Sequence, residues 1–567
     1  MKKMDIDFVR SEIIGDCSVY DTPFGKRNLF YADYTASGRN LRFIEDKLIE
    51  IEKSYANTHT TDDYSGRCLT DLLHGAEKRI KHLTGATDEY KIISVGSGST
   101  GALKRLQEIL GIYIPPHTRD RIFSSIKGLN CRDCTVIDKI NIDRPVVFIG
   151  PYEHHTNELM WREAFAEIVV IGLDQSGGID TEMLERELKK KKYRDRVKYC
   201  SFSAGSNITG LLTDIYKLAA VAHKYDSYIF FDFAATAPYV DIDIFKDSKN
   251  YFDAIFFSPH KFLGGPGSSG ILIFRQELYR KDLPPTTSGG GTVEYVGFTD
   301  QDYTNDIETR EKAGTPPILQ TIKTAFAMEV KSKIGIKAIE FAEDRNKKLF
   351  FDHFTGHEKI VIIGDPDPEK RIPIISFNIR HKDRFLHPRL VTRLLSDLFG
   401  IQSRAGCSCA GPYGHRLLHI DNDTSQKYRN LIVNEGMSGI KPGWVRVNLH
   451  YVFTEDDIRF IIRAIEFIAQ YGERFLDLYR FDPHSAEWKH KEFEEKSIEF
   501  DLFSDFDIGC IGKNDNIEKL RPKYFAEALK IASGLKTPDN EDFVKYEKNI
   551  ENIKYFYHCF ETVREEK

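Results

Sequence analysis

Three stretches of the chain carry residue types that could do chemistry together. Gly96-Ser97-Gly98-Ser99-Thr100-Gly101 follows an apolar run and leads into a helical pattern at Ala102. Backbone amides exposed at a helix N-terminus suit a phosphate. The formal GxGxxG spacing binds a dinucleotide only with an acidic residue ending the next strand, roughly 20 residues on. Asp120 has that offset, but Ile114-Pro115-Pro116-His117 before it is not a strand. A nucleoside-triphosphate loop needs lysine where Ala102 stands. A smaller phosphate-bearing cofactor fits better, with a plain tight turn as the alternative. Asp232 closes the apolar run Ile229-Phe230-Phe231, where a carboxylate is costly unless paired or hydrogen-bonded. A metal ligand, a partner for a cation and a helix cap all answer that description. Ser258-Pro259-His260-Lys261 follows another apolar run and precedes Gly264-Gly265-Pro266-Gly267. A lysine at a strand-end turn can be desolvated and made nucleophilic, although an exposed loop lysine is the commoner case. The chain order of cradle, buried acid and poised lysine favours the chemical reading.

Cysteine supplies a second set of candidates. Cys407-Ser408-Cys409 sits in a glycine-rich stretch and, taken alone, reads as two small residues of a loop. Cys131-Arg132-Asp133-Cys134 has zinc-knuckle spacing, but one CxxC without a second ligand pair is a weak signal. No metal is expected. Cys17, Cys68, Cys200, Cys510 and Cys559 are scattered and read as core thiols.

The elements that must position these residues alternate. Apolar runs at Lys91–Val95, Val146–Gly150, Ile168–Leu173, Val197–Ser203, Tyr228–Phe233, Ala254–Ser258 and Gly270–Phe274 lack polar alternation, as strands buried on both faces do. Helical patterns such as Thr181–Lys192 and Asp214–Tyr225 lie between them. The expectation is an α/β domain over residues 31–315, built on a mostly parallel sheet of seven strands. An N-terminal arm (1–30) precedes it, and an insertion over about 113–144 interrupts it. One long helix is expected from Gly314-Thr315-Pro316-Pro317 to about Phe351, opening a small α+β domain over 316–476 with strands near Ile374–Ile379 and Trp444–Tyr451. Its last helix has a capping box, Thr454 with Asp457, and an apolar stripe of Ile458, Ile461, Ile462, Ile465 and Ile468. A charged, mostly helical extension is expected over 477–567.

Composition sets the class. The chain has 567 residues, 41% of them apolar, and a formal net charge of −6. It is neither basic enough for nucleic acid to be the default partner nor polar enough to be disordered. Nine cysteines over this length are not a secreted disulfide scaffold. The N-terminal residues show no signal-peptide pattern, and no apolar run approaches the roughly 20 residues of a membrane span. A soluble, cytoplasmic enzyme is expected.

The motifs as an ordered set resemble the fold type I pyridoxal-phosphate enzymes of the class V aminotransferase group, most closely the cysteine desulfurase and selenocysteine lyase branch. The resemblance covers about residues 28–472. It runs through Tyr31-Ala32-Asp33-Tyr34-Thr35-Ala36, Ala56-Asn57-Thr58-His59, Gly98-Ser99-Thr100 and Glu153-His154-His155-Thr156-Asn157. It continues through Ser206-Asn207-Ile208-Thr209-Gly210, Asp232, Ser258–Lys261, Gly289-Gly290-Gly291, Ala313-Gly314-Thr315-Pro316, Arg404–Cys409 and Arg446-Val447-Asn448-Leu449. It implies that Lys261 forms the Schiff base with pyridoxal 5'-phosphate and moves the substrate α-proton. Asp232 would keep the pyridine nitrogen protonated, and His154 would stack on the ring and take part in proton transfer. Ser99, Thr100, Ser258 and His260 would hold the phosphate, and Asn207 the phenolic oxygen. Relatives share that last task with a glutamine where this chain has Ala235. Gly290 and Gly291 resemble the loop that reaches a neighbouring subunit, implying a homodimer. Arg446 would clamp the substrate carboxylate, with Arg404 and Asn57 also on the substrate. Cys409 would take sulfur from L-cysteine as a persulfide, leaving L-alanine, for a sulfur-acceptor protein. The alternative within the group is an aminotransferase, lyase or epimerase acting on another amino acid.

Overall fold

The computed structural model describes residues 4–16, 18–58, 60–128, 144–407, 409–495, 500–501, 510–513 and 517–559. Two compact units form. The first comprises Met1–Glu12, Ser37–Ser206 and Leu211–Ile339, the second Ile13–Ala36, Asn207–Gly210 and Glu340–Lys567.

The first unit is built on seven strands, β1 (Tyr90–Val95), β2 (Val146–Ile149), β3 (Glu167–Val170), β4 (Lys198–Ser203), β5 (Tyr228–Asp232), β6 (Ala254–Phe257) and β7 (Gly270–Arg275), in the order β1-β7-β6-β5-β4-β2-β3. The five strands β3, β2, β4, β5 and β6 run parallel, and β7 is antiparallel to both β6 and β1. This is the mostly parallel α/β sheet expected from the apolar runs. Every residue of β2, β4 and β6 is buried, because helices cover both faces of such a sheet. Helices α1 (Gly98–Ile109) and α2 (His155–Glu163) contribute Ala102, Leu103, Leu106 and Trp161 to a core shared with Ile93, Val147, Phe230 and Phe256. Within the insertion, the described residues Pro116–Gly128 form a helix; Cys131 and Cys134 lie outside the described residues, as do Cys17, His59 and Ser408.

The single helix expected to begin after Pro317 is two. Ile318–Ile334 and Ile336–Phe354 are separated by Gly335 at φ +89°, a conformation that ends an α-helix and that glycine adopts at low cost. Ile318–Ile334 packs within the first unit, along the helix Tyr64–Leu83.

The second unit has an antiparallel sheet centred on β8 (Ile374–His381), which pairs with Ile360–Ile362 and with β10 (Trp444–Asn448); β10 pairs in turn with β9 (Arg404–Gly406). Helices α3 (Pro388–Phe399) and α5 (Glu455–Tyr471) pack together beside it. The Thr454–Asp457 capping box is formed in both directions, and all five isoleucines of the α5 stripe are buried. A second, three-stranded sheet joins the hairpin Ser18–Thr22/Gly25–Asn28 to Cys510–Lys513, which pairs with the free side of Ser18–Thr22. The extension also contributes the strands Tyr479–Phe481 and Trp488–His490 and the helix α6 (Ile517–Gly534). Phe525 of α6 stacks near Phe399 and Phe460, and Arg521 reaches the buried Asp457 carboxylate at 2.6 Å. No helix of the described residues is long and apolar enough to cross a membrane.

Candidate active site

In the first unit the sequence-predicted residues gather where β1, β5 and β6 end, the edge at which α/β sheets bind ligands. The helix after β1 starts at Gly98, not at Ala102, so Ser99 and Thr100 form its first turn. Gly98 sits at φ +59°, and a Cβ there would lie 2.7 Å from Ser258 Oγ. The Ser99 amide donates to Ser258 Oγ at 2.8 Å, while the Thr100 and Thr156 hydroxyls are 2.8 Å apart. The sequence assigned no role to Thr156; its place in the first turn of α2 brings it beside the cradle. Amides, hydroxyls and a glycine that permits close approach fit a phosphate group at a helix N-terminus.

Asp232 is the last residue of β5, in the middle of the sheet, with 4% of its surface exposed. Its Oδ1 accepts from the Ala234 amide at 2.8 Å. Burial pushes its carboxyl up to about 6, against the opposing pull of that amide and the nearby Lys261 charge. A carboxylate placed so calls for a cationic partner, as a protonated pyridine would be. Lys261 ends the turn Pro259–Lys261 that follows β6. The turn is held by the Gly38 amide donating to the His260 carbonyl at 2.8 Å and by Gly265, whose Cβ would collide with the Pro259 carbonyl. Burial, with Lys261 beside it, lowers His260 to about 4, so its imidazole is neutral at pH 7.

His154 caps α2, its Nδ1 accepting from the Thr156 amide at 3.2 Å. Beside it in the chain is a group that sequence reasoning passed over. Glu153 is buried and receives four hydrogen bonds, from the Gly150 and Ser203 amides, Ser203 Oγ and Asn157 Nδ2. Burial nonetheless raises it to about 7, helped slightly by Asp232. Its adjacency to His154 was the one available signal. Asn57 is exposed, with Nδ2 donating to Thr315 Oγ1 at 3.1 Å. Gly290 is exposed and its carbonyl accepts from the Gly314 amide at 2.9 Å; Gly291 follows at φ +84°. A cavity of about 560 Å3 in this unit reaches Gly96 and is walled by Arg105, Lys312 and Thr315, but none of Ser99, Asp232 or Lys261 lines it.

In the second unit, β9 and β10 set Arg404 directly opposite Arg446. Arg446 is 4% exposed; its Nη2 donates to Asp33 Oδ1 at 2.9 Å and its Nη1 to the Asn207 carbonyl at 3.1 Å. Arg404 Nε donates to the other oxygen of Asp33, also at 2.9 Å. Asn207 opens the short segment Asn207–Gly210, which is fastened to this unit by Ser376 Oγ on the Ile208 carbonyl and by the Ile372 amide on the Gly210 carbonyl. After β9 the chain turns sharply: the Ala410 amide donates to the Cys407 carbonyl at 3.2 Å, and α4 (Gly411–Leu417) begins at once. Cys409 is exposed at φ +58°, a left-handed conformation unusual for a side-chain-bearing residue and typical of functional sites. Cys407 is half-buried. Cys200, by contrast, is fully buried in β4, which pushes its thiol far up and leaves it inert.

Residues 138–460 match the Aminotransferase class-V family. A protein of Halalkalibacterium halodurans named "Probable cysteine desulfurase" is 25% identical over 70% of this chain and 87% of its own length. One of the same name from Staphylococcus aureus is 26% identical over 71% and 88%. The cysteine desulfurase structure from Thermococcus onnurineus shares the fold, with a TM-score of 0.62 and 22% identity over 83% of this chain and all of that one. The Escherichia coli cysteine desulfurase structure gives 0.58 and 18% over 82% and 98%. With more than half its length matched, the chain belongs to the class V aminotransferase family.

Proposed function

We propose that this protein is a pyridoxal 5'-phosphate-dependent cysteine desulfurase that converts L-cysteine to L-alanine and leaves the sulfur on Cys409. The observation that carries the reading is the Cys409 turn: an exposed thiol in left-handed backbone, five residues beyond an arginine that pairs with the Arg446 strand. The relatives named as cysteine desulfurases support it.

When bound, the cofactor supplies an electron sink for the bonds at the substrate Cα. Ser99, Thr100, Ser258 and His260 would hold its phosphate, Asp232 would keep its ring nitrogen protonated, and His154 and Asn207 would serve its ring and phenolic oxygen. Lys261 would hold the group and move the substrate α-proton. Arg446, with Arg404, binds the substrate carboxylate in the planar, two-point manner suited to guanidinium. The Cys409 thiolate attacks the substrate sulfur, the substrate Cβ–S bond breaks, and Cys409 holds the sulfur as a persulfide. The reaction balances as L-cysteine plus a thiol giving L-alanine plus a persulfide.

The same reading makes the protein a homodimer. The glycines at 289–291, of which Gly289 and Gly290 are exposed, lead into the hairpin Val293–Val296/Gln301–Tyr303, whose Tyr295, Val296 and Phe298 stand in solvent and suit a second copy. It also implies a sulfur-accepting protein and a reducing, cytoplasmic setting.

The test is incubation with L-cysteine and a dithiol, measuring alanine and sulfide for the wild type and Cys409→Ala. Equal amounts of the two products from the wild type, and a loss of at least ~100-fold in the variant, are expected. Equal turnover in both would refute the persulfide route. An oxo acid, pyruvate with ammonia, or the D-isomer in place of alanine would mark another class V reaction.

A further inference from the structure

Asp33 has no role in the function proposed above, yet it is the carboxylate on which both substrate-side arginines converge. Its residue is 8% exposed and its two oxygens are divided, Oδ1 to Arg446 Nη2 and Oδ2 to Arg404 Nε, each at 2.9 Å. The backbone beneath it is fixed from two strands: the Ala32 amide donates to the Gln402 carbonyl at 2.9 Å and the Asn448 amide to the Ala32 carbonyl at 2.8 Å. The Ala36 amide and the Tyr31 hydroxyl both donate to the Asp33 carbonyl, at 2.9 and 3.1 Å. This carboxylate is therefore a fixed part of the second unit.

Resting on the assignment of Arg446 to the substrate carboxylate, we propose that Asp33 is a positioning and charge-setting residue that makes this site selective for amino acids with a single carboxylate. Two arginines alone would present two positive charges. Asp33 cancels one, so the cluster carries a net single charge, matching one carboxylate. A guanidinium donates five hydrogen bonds, so bonds from Arg446 to Asp33 and to the Asn207 carbonyl are compatible with a ligand on the same group. They also hold its plane in one orientation before a ligand arrives, which spares ordering on binding. Arg404 is half exposed, so its bond to Asp33 counts for less than that of the buried Arg446. An amino acid with a second acidic group would bring two negative charges to a site balanced for one, beside a buried carboxylate.

The experiment compares cofactor-loaded wild type, Asp33→Asn and Asp33→Glu, each checked by its melting temperature. The shift of the cofactor absorption band on titration gives Kd for L-cysteine and for L-aspartate, and steady-state assays give kcat and KM for L-cysteine. Asp33→Asn keeps shape and removes charge. Its preference for L-cysteine over L-aspartate should narrow about tenfold, with KM for L-cysteine raised more than kcat is lowered. Asp33→Glu should restore most of the preference. An unchanged Kd ratio in Asp33→Asn, or an equal loss for both ligands, overturns the Asp33 assignment and leaves the proposed function standing. A wild type whose band responds to neither amino acid, and that forms no alanine, overturns the proposed function and this assignment with it.

Discussion

Replacing Asp232 by Asn should stabilise the cofactor-free protein and destabilise the loaded one. A buried acid whose carboxyl is held at about 6, against an ordinary 3.8, binds its proton more tightly folded than unfolded. The contribution of Asp232 to stability is therefore fully present at low pH and is lost as pH rises from about 4 to 6, at ~1.4 kcal/mol per pH unit, for a total of about 3 kcal/mol. Glu153, at about 7, extends the same decline upward. The Asp232→Asn side chain has no charge to desolvate, and its amide oxygen still accepts from the Ala234 amide. At pH 8 the cofactor-free variant should therefore melt higher than the wild type by roughly 5 °C. About half of that advantage should be gone at pH 5, where much of the wild-type Asp232 is protonated. Loading the cofactor should reverse the order, since Asp232 then gains a cationic partner that a neutral amide cannot pair with as strongly. Differential scanning calorimetry of both forms at pH 5 and pH 8 measures all four differences. A cofactor-free variant that melts at or below the wild type at pH 8 would refute the claim that burial dominates at this carboxylate.

Two further substitutions address the cradle and the extension. Gly98→Ala combines a left-handed φ with a Cβ 2.7 Å from Ser258 Oγ; it should weaken cofactor binding at least tenfold, about 1.4 kcal/mol, in an equilibrium titration followed by absorbance, and wild-type affinity would count against the cradle. Asp457→Ala removes the acceptor of the Thr454 amide and hydroxyl and of Arg521, which should cost about 3 kcal/mol in the denaturant unfolding of the second unit. A loss below ~1 kcal/mol would mean that the cap and the Arg521 pair contribute little.

The seven strands of the first unit were legible because each is an apolar run buried on both faces, and their ends fall within three residues of the expected ones. Lys261, Asp232 and the cradle stood out in the sequence because Asp232 closes such a strand and the other two follow one within a few residues. Helix starts were less so: Gly98-Ser99-Thr100-Gly101 has poor helix propensity, yet the helix begins there with Ser97 as its cap. Gly335 carried no sign of its left-handed φ within a continuous helical pattern. The Asp33 cluster was hidden for another reason. Its partners lie 371 and 413 residues away, and nothing local to Tyr31-Ala32-Asp33 announces them. The strands Tyr479–Phe481 and Trp488–His490 of the extension alternate charged and aromatic residues too briefly to stand out from the surrounding polar sequence.

The edge pairing between Ser18–Thr22 and Cys510–Lys513 has a consequence for biosynthesis. The hairpin Ser18–Asn28 emerges from the ribosome first, and the strand that completes it follows about 490 residues later. At roughly 5–20 residues per second, the interval is on the order of 25 to 100 seconds. During that time one row of amides and carbonyls on Ser18–Thr22 lacks its final partner, and such an edge recruits other strands. Nascent chains of this protein therefore present a long-lived client surface to ribosome-associated chaperones, one that closes only once Cys510–Lys513 has been made.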